Sequence, residues 1–196
     1  MAISDEDPVG VLGGTFDPVH KGHLAIAKSF LGSKYINFLL ILLTPHPPHK
    51  SGRKFAGYNQ RLKMLMSAFK QIEGVKVSDL EFTLPKPSYT YQTMRYLKKS
   101  NPETKYYYCL GEDSYQHFKN WYKWKGILEY CDLLVAERPN VQRNNEDLLP
   151  YSHFIEHSPL DVSSSQIREN LEKGRSIKAL VPAGVAQIIE EEKLYQ

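Results

Sequence analysis

The sequence predicts an α/β fold in which helices cover both faces of a doubly wound, mostly parallel sheet. Three observations carry this expectation. Short apolar runs alternate with stretches of helical apolar spacing along the chain. Ile36 to Leu43 is apolar on nearly every residue, as a parallel strand covered on both faces should be. The first apolar run ends at the paired glycines Gly13-Gly14, just ahead of a helical stretch. With 196 residues, 41% of them hydrophobic, the chain can bury one substantial core, and a single domain over 1–196 is expected.

In order, residues 1–7, acidic at Ser4-Asp5-Glu6-Asp7, read as a flexible tail. Val9-Gly10-Val11-Leu12 is the first strand. Leu24, Ile26, Ala27, Phe30 and Leu31 form an apolar stripe on a helix that begins near Lys21 and stops at Gly32. The second strand, Ile36 to Leu43, runs into the proline-rich loop Thr44 to Lys50. Leu62, Leu65, Met66 and Phe69 then mark a helix closed by Glu73-Gly74. Val75 to Phe82 is a third expected strand and Tyr91 to Lys98 a helix. Tyr106 to Leu110 is an aromatic strand broken at Gly111, with the tyrosines alternating as packing residues, and Cys131 to Ala136 is the fifth strand. Asn140 to Asp147 reads as a surface excursion. Phe154 to His157 supplies a sixth strand, and Ser165 to Leu171 and Val185 to Leu194 are closing helices.

Charge narrows the function classes. Twenty-five basic against 22 acidic residues leave +3, too little for a nucleic-acid footprint and better suited to small anionic substrates. No apolar run reaches the ~20 residues of a membrane span, and the start lacks the regions of a secretory signal, so a soluble cytoplasmic protein is expected. Cys109 and Cys131 show no paired metal-ligand spacing; each falls in an apolar run and reads as core.

Gly13 and Gly14 let backbone come close to a ligand, and the helix that follows offers free amides to phosphate, although such a turn is often only a turn. His20-Lys21-Gly22-His23 adds two imidazoles three residues apart on one helical face, with a glycine between them that leaves room for phosphate. These histidines read either as exposed or capping residues or as a pair aimed at one anion; zinc fits less well, because the one-turn spacing and a third ligand are missing. Far along the chain, Ser163-Ser164-Ser165 can cap a helix or donate to phosphate, while Arg168 brings a cationic fork.

Gly13 to His23 followed by Leu24 closely resembles the GGxFxPxHxGH signature of the nucleotidyltransferase superfamily. Asp161 to Arg168 resembles its ISSTxIR element, with Val162 for isoleucine and Ser165 for threonine. Pro48-His49-Lys50, Arg61 to Leu65, Pro87 to Thr93, Leu110 to Asp113, Asn120 to Trp124, Glu137-Arg138-Pro139, Val181-Pro182 and Leu194-Tyr195 narrow the resemblance to bacterial-type nicotinate mononucleotide adenylyltransferases. Thr44-Pro45-His46 and Glu112 depart from the usual pattern.

The resemblance implies transfer of the AMP moiety of ATP to nicotinate mononucleotide, with pyrophosphate leaving. His20, His23 and Arg168 would be catalytic. ATP would lie against Gly13, Gly14, Thr15, Phe16 and Gly22 on one side and Ser163, Ser164, Ser165 and Ile167 on the other, with adenosine near Gly111 and Asp113. Asp113 reads alternatively as a helix cap. Trp121 would stack on the pyridine ring, Tyr122 would lend an amide to the nicotinate carboxylate, and Tyr89, Thr90, Lys50 and Arg138 would border the same nucleotide; Trp124 reads as core. Magnesium would come with ATP, held mainly by phosphates and water. A homo-oligomer is compatible with all of this, and neither nucleic acid nor membrane is expected as a partner. Transfer to nicotinamide mononucleotide or phosphopantetheine, or a catalytically silent nucleotide-binding regulator, are the alternatives.

Overall fold

A computed structural model describes residues 7–45, 56–137 and 148–195. The expected tail up to residue 6, Lys50, Arg138 and the Asn140 to Asp147 excursion lie outside them. Six parallel strands form one sheet in the order β3-β2-β1-β4-β5-β6. They are β1 (Val9–Gly14), β2 (Phe38–Leu43), β3 (Val75–Ser78), β4 (Tyr106–Gly111), β5 (Asp132–Glu137) and β6 (Ser152–Glu156). The order reverses between β1 and β4, which opens a crevice beyond their carboxyl ends, the place where such sheets bind ligands.

Strand alternation sorts the apolar side chains into two cores. Leu39, Ile41, Leu43, Tyr107, Cys109, Leu134 and Ala136 pack into one face. Leu42, Tyr106, Tyr108, Leu110, Leu133 and Val135 pack into the other. Both faces are therefore dry, which is why these strands are apolar almost throughout. Burial pushes the Cys131 thiol up to about 12 and raises that of Cys109 further, as expected of core thiols.

The first core is roofed by α1 (Lys21–Leu31), α2 (Tyr58–Phe69), α7 (Ser164–Glu172) and α8 (Ala183–Glu191). In α1 the stripe buries Ala27 and Phe30, and Gly32 closes the helix by donating its amide to the Lys28 carbonyl at 2.8 Å. In α2 the buried face is Arg61, Met64, Leu65, Ala68 and Phe69. The second core lies under α4 (Thr90–Ser100) and the short helices α5 (Glu112–Gln116) and α6 (Trp124–Ile127).

Three expectations change. The third strand stops at Ser78, and Leu80–Thr83 forms a single helical turn, α3. Ser78 Oγ accepts from the Leu80 amide at 3.2 Å and Thr83 Oγ1 donates to the Leu80 carbonyl at 2.8 Å, so local side-chain bonds outcompete the ladder. Phe82, assigned to the strand, is exposed. Between β4 and β5 the chain folds into broken turns where periodicity predicts no helix: α5, a 3₁₀ turn at Phe118–Asn120, and α6. Finally, α8 ends at Glu191 rather than Leu194, because Lys193 and Tyr195 take left-handed backbone at φ 49° and 64°.

Candidate active site

A cleft of about 490 Å³ opens at the β1/β4 reversal, a normal size for a small-molecule site. One wall is the β1–α1 loop. A Cβ placed on Gly14 would lie 2.8 Å from the Phe16 ring, and one on Gly13 would lie 3.0 Å from the Tyr108 hydroxyl. The glycines are thus required first by the protein's own rings closing on them. Phe16 takes φ 46° and buries its ring, which meets His23 edge-on at 4.9 Å between centroids. The loop carries a strained residue at the site.

The two histidines are not equivalent. His23 lines the cleft, and its Nδ1 accepts from the His20 amide at 3.1 Å. His20 sits behind it, 7% exposed, with ring centroids 3.7 Å apart and its own Nδ1 buried without a full hydrogen bond among the described residues. Burial lowers the His20 pKa to about 4, so that ring is neutral at pH 7. His20 therefore stands behind the cleft as a neutral ring, and His23 is the imidazole that faces it. A Cβ on Gly22 would lie 3.0 Å from His20 Nδ1 and 3.1 Å from Val162 Cγ1. Gly22 makes room for the His20 ring rather than for phosphate alone. The α1 amino end is also partly committed, since the Lys21 amide donates to the Leu180 carbonyl at 3.0 Å.

The start of α7 lies against this loop and continues the same wall. Ser163 Oγ accepts from the Gln166 amide at 3.1 Å and caps the helix. Ser164 Oγ donates to the Pro18 carbonyl at 2.9 Å, which ties α7 to the β1–α1 loop. Ser164, Ser165 and Arg168 line the cleft, whereas Ile167 turns into the core and is fully buried. Arg168 Nη1 donates to the Asp17 carbonyl and stands 3.6 Å from Asp17 Oδ2; its Nη2 donates to Ser165 Oγ at 3.0 Å. The guanidinium reaches the cleft already braced.

Beneath the loop, Arg61 is 2% exposed and donates to three carbonyls: Thr15 at 2.8 Å, Thr44 at 3.0 Å and Ala56 at 3.1 Å. Asp17, 3% exposed, accepts from the Ala56 amide at 3.0 Å and the Tyr195 hydroxyl at 2.7 Å on the same Oδ1. Sequence reading gave none of Asp17, Arg61 or Tyr195 a role, although each stands in a motif quoted for the resemblance.

The far end of the cleft is aromatic. Tyr89, Thr90, Tyr108, Trp121 and Tyr122 line it together with Glu81. Tyr89 and Tyr122 stack at 4.4 Å and 25°. Trp121 is half-buried, edge-on to Tyr108 at 5.7 Å and against Phe118 at 5.2 Å. Glu81 Oε1 accepts from Thr93 Oγ1 at 2.9 Å, and burial raises the carboxyl pKa. Gly111 ends β4 and Asp113 lies exposed in the first turn of α5; neither lines the cleft, and Ser114 does instead. Among the described residues no three His, Cys, Asp or Glu side chains converge on a possible metal position, and no helix is long and apolar enough to cross a membrane.

Comparison with known proteins finds relatives over nearly the whole chain. Residues 11–170 fit the cytidylyltransferase-like family model. A protein of Synechococcus sp. (strain JA-3-3Ab), named a probable nicotinate-nucleotide adenylyltransferase, is 35% identical over 98% of this chain and 99% of its own length. One of the same name from Geobacillus thermodenitrificans is 33% identical over 95% of this chain and 85% of its own. The nicotinic acid mononucleotide adenylyltransferase of Plasmodium falciparum, solved with APC, superposes with a TM-score of 0.80 over 96% of this chain and 97% of that one at 19% identity, which is a likeness of fold. From the glycine loop through the α7 arginine, then, this chain belongs to the nicotinate-nucleotide adenylyltransferase family of cytidylyltransferase-like proteins.

Proposed function

We propose that the chain transfers the adenylyl group of ATP to nicotinate mononucleotide, giving nicotinate adenine dinucleotide and pyrophosphate in NAD biosynthesis. The carrying observation is one cleft that joins a phosphate end, His23 with Ser164, Ser165 and Arg168, to an aromatic end, Tyr89 with Trp121 and Tyr122. The name shared by relatives covering nearly the whole chain supports the same reading. A mononucleotide phosphate oxygen attacks the α-phosphorus as the bond to pyrophosphate breaks, so no covalent nucleophile is needed. What the protein supplies is alignment and donors for charge that grows on the leaving oxygens.

Arg168 is the permanent cation of this wall. His23 lies where it can donate to a phosphate oxygen, and His20 packs against it as a neutral ring that fixes its plane. The Ser164 and Ser165 amides open α7 toward the same oxygens, an anion-binding placement. Magnesium would come with the triphosphate: Asp17, the carboxylate of the loop, is engaged on Oδ1 by Tyr195 and Ala56 and faces Arg168 on Oδ2, so phosphates and water would hold the ion. The stacked Tyr89 and Tyr122 and the face of Trp121 offer flat apolar surface for a pyridine ring.

The test is incubation with magnesium-ATP and, separately, nicotinate mononucleotide, nicotinamide mononucleotide or phosphopantetheine, with pyrophosphate and the coupled product measured. The acid mononucleotide is expected to turn over fastest, and a His20→Ala, His23→Ala double variant to be slower by roughly a hundredfold to a thousandfold. Turnover no better than that variant with every acceptor would defeat the enzymatic reading. Faster use of the amide would replace only the substrate.

A further inference from the structure

We propose that Tyr195, remote in sequence from both phosphate motifs, is a positioning residue for adenylyl transfer that acts through Asp17 on Arg168. The inference rests on the functional reading above. Asp17 is the joint: its Oδ1 receives the Tyr195 hydroxyl at 2.7 Å and the Ala56 amide at 3.0 Å, while its carbonyl and Oδ2 face Arg168 Nη1. With 3% exposure, the carboxylate is shut off from the solvent that could replace a lost partner. Its position therefore depends on the groups that grip it, and the position of Arg168 depends on Asp17.

The local backbone points the same way. Lys193 and Tyr195 both adopt left-handed φ, 49° and 64°, without being glycine. Such conformations persist where surrounding contacts over-determine them. Here they turn the chain after α8 back beneath the β1–α1 loop, so that the phenol meets Asp17. Burial, and then the Asp17 charge, raise the Tyr195 pKa, which keeps the phenol a donor throughout the working pH range. Arg61 lies under the same loop, gripping the Thr15 and Thr44 carbonyls, so the loop is clamped by Arg61 at its backbone and by Tyr195 at its acidic side chain.

The chemical consequence concerns the triphosphate. Arg168 Nη2 is already shared with Ser165, so rotation of the guanidinium when Asp17 relaxes would misdirect its remaining donors. A displacement of about 1 Å at such a donor can cost up to a hundredfold in rate. Loss of one hydrogen bond two steps away is expected to cost less.

The experiment is a double-mutant cycle of Tyr195→Phe and Arg168→Ala, read in kcat/KM for ATP and, independently of any acceptor, in calorimetric Kd for magnesium-ATP. Tyr195→Phe alone is expected to lower kcat/KM for ATP by about five- to twentyfold and to weaken magnesium-ATP binding, with KM for the mononucleotide changed less than twofold. In the Arg168→Ala background the same substitution is expected to change neither ATP quantity by more than twofold. Equal losses in both backgrounds, or none in the wild-type background, would overturn the proposal and leave Tyr195 a purely structural residue. Should the phenylalanine variant not fold, Asp17→Asn enters the same cycle, and an effect independent of Arg168 likewise overturns the wiring. Because Kd needs no turnover, failure of the acceptor assignment is distinguishable from failure of this link.

Discussion

The two ends of the cleft are built differently. At the phosphate end the key groups are buried and already bonded within the protein: Asp17 is 3% exposed, Arg61 2% and His20 7%, and Arg168 is braced before any ligand arrives. At the aromatic end Tyr122 is 45% exposed and stacks on Tyr89 rather than on anything buried. A triphosphate presents the same charge in every turnover, so preorganised donors serve it best. A pyridine ring needs flat surface, which exposed rings supply and can adjust.

The comparison makes substitutions at the phosphate end chiefly matters of stability and rate, and substitutions at the aromatic end chiefly matters of acceptor affinity. Arg61→Met is the strongest way to break it, because it strips donors from three carbonyls at once. We expect a loss of about 3 kcal/mol or more, hence a melting temperature roughly 6–12 °C lower by calorimetry. A change under 2 °C would mean the clamp is not what holds the loop.

His20 sharpens the comparison through pH. Folded, it takes a proton only below about 4, whereas its ordinary value is 6.5. Between those values the unfolded chain binds more protons, so stability is full above pH 6.5 and falls as pH drops toward 4. The difference in unfolding free energy between wild type and His20→Gln is expected to shrink by about 2 kcal/mol from pH 7 to pH 5, measured by urea titration. A pH-independent difference would show that folding leaves the ring's proton affinity at its ordinary value.

At the aromatic end, Tyr122→Ala is expected to raise KM for the mononucleotide about fivefold, the worth of one aromatic contact of about 1 kcal/mol, with KM for ATP within twofold. If KM for ATP rises equally, the two ends are not separable and the contrast fails.

Legibility in the sequence follows the same division. The alternation of elements and the two phosphate motifs could be read directly, because apolar period and glycine placement are local signals. Arg61 could not, since it sits among Tyr58-Asn59-Gln60 and Lys63 and looks like an outward helix residue; the carbonyls it serves come from two other loops. Ile167 sits inside the serine and arginine motif and was read as part of the ATP site, yet it faces the core, because neighbouring residues on a helix point about 100° apart. The early end of β3 turned on Ser78 and Thr83 hydroxyls, whose backbone bonds leave no periodic trace. Tyr195 was visible only as the last letter of a motif.

The two core cysteines have a practical consequence. They are the only thiols in the chain, both buried, and with Cys131 pushed up to about 12, only roughly one in ten thousand of its thiols is ionised at pH 8. Alkylating dyes react with thiolate, so the native protein behaves as a blank background for labelling. A single cysteine introduced at the exposed edge of the cleft, away from the rings that line it, would carry a fluorophore alone and report nucleotide arrival without first removing anything from the core.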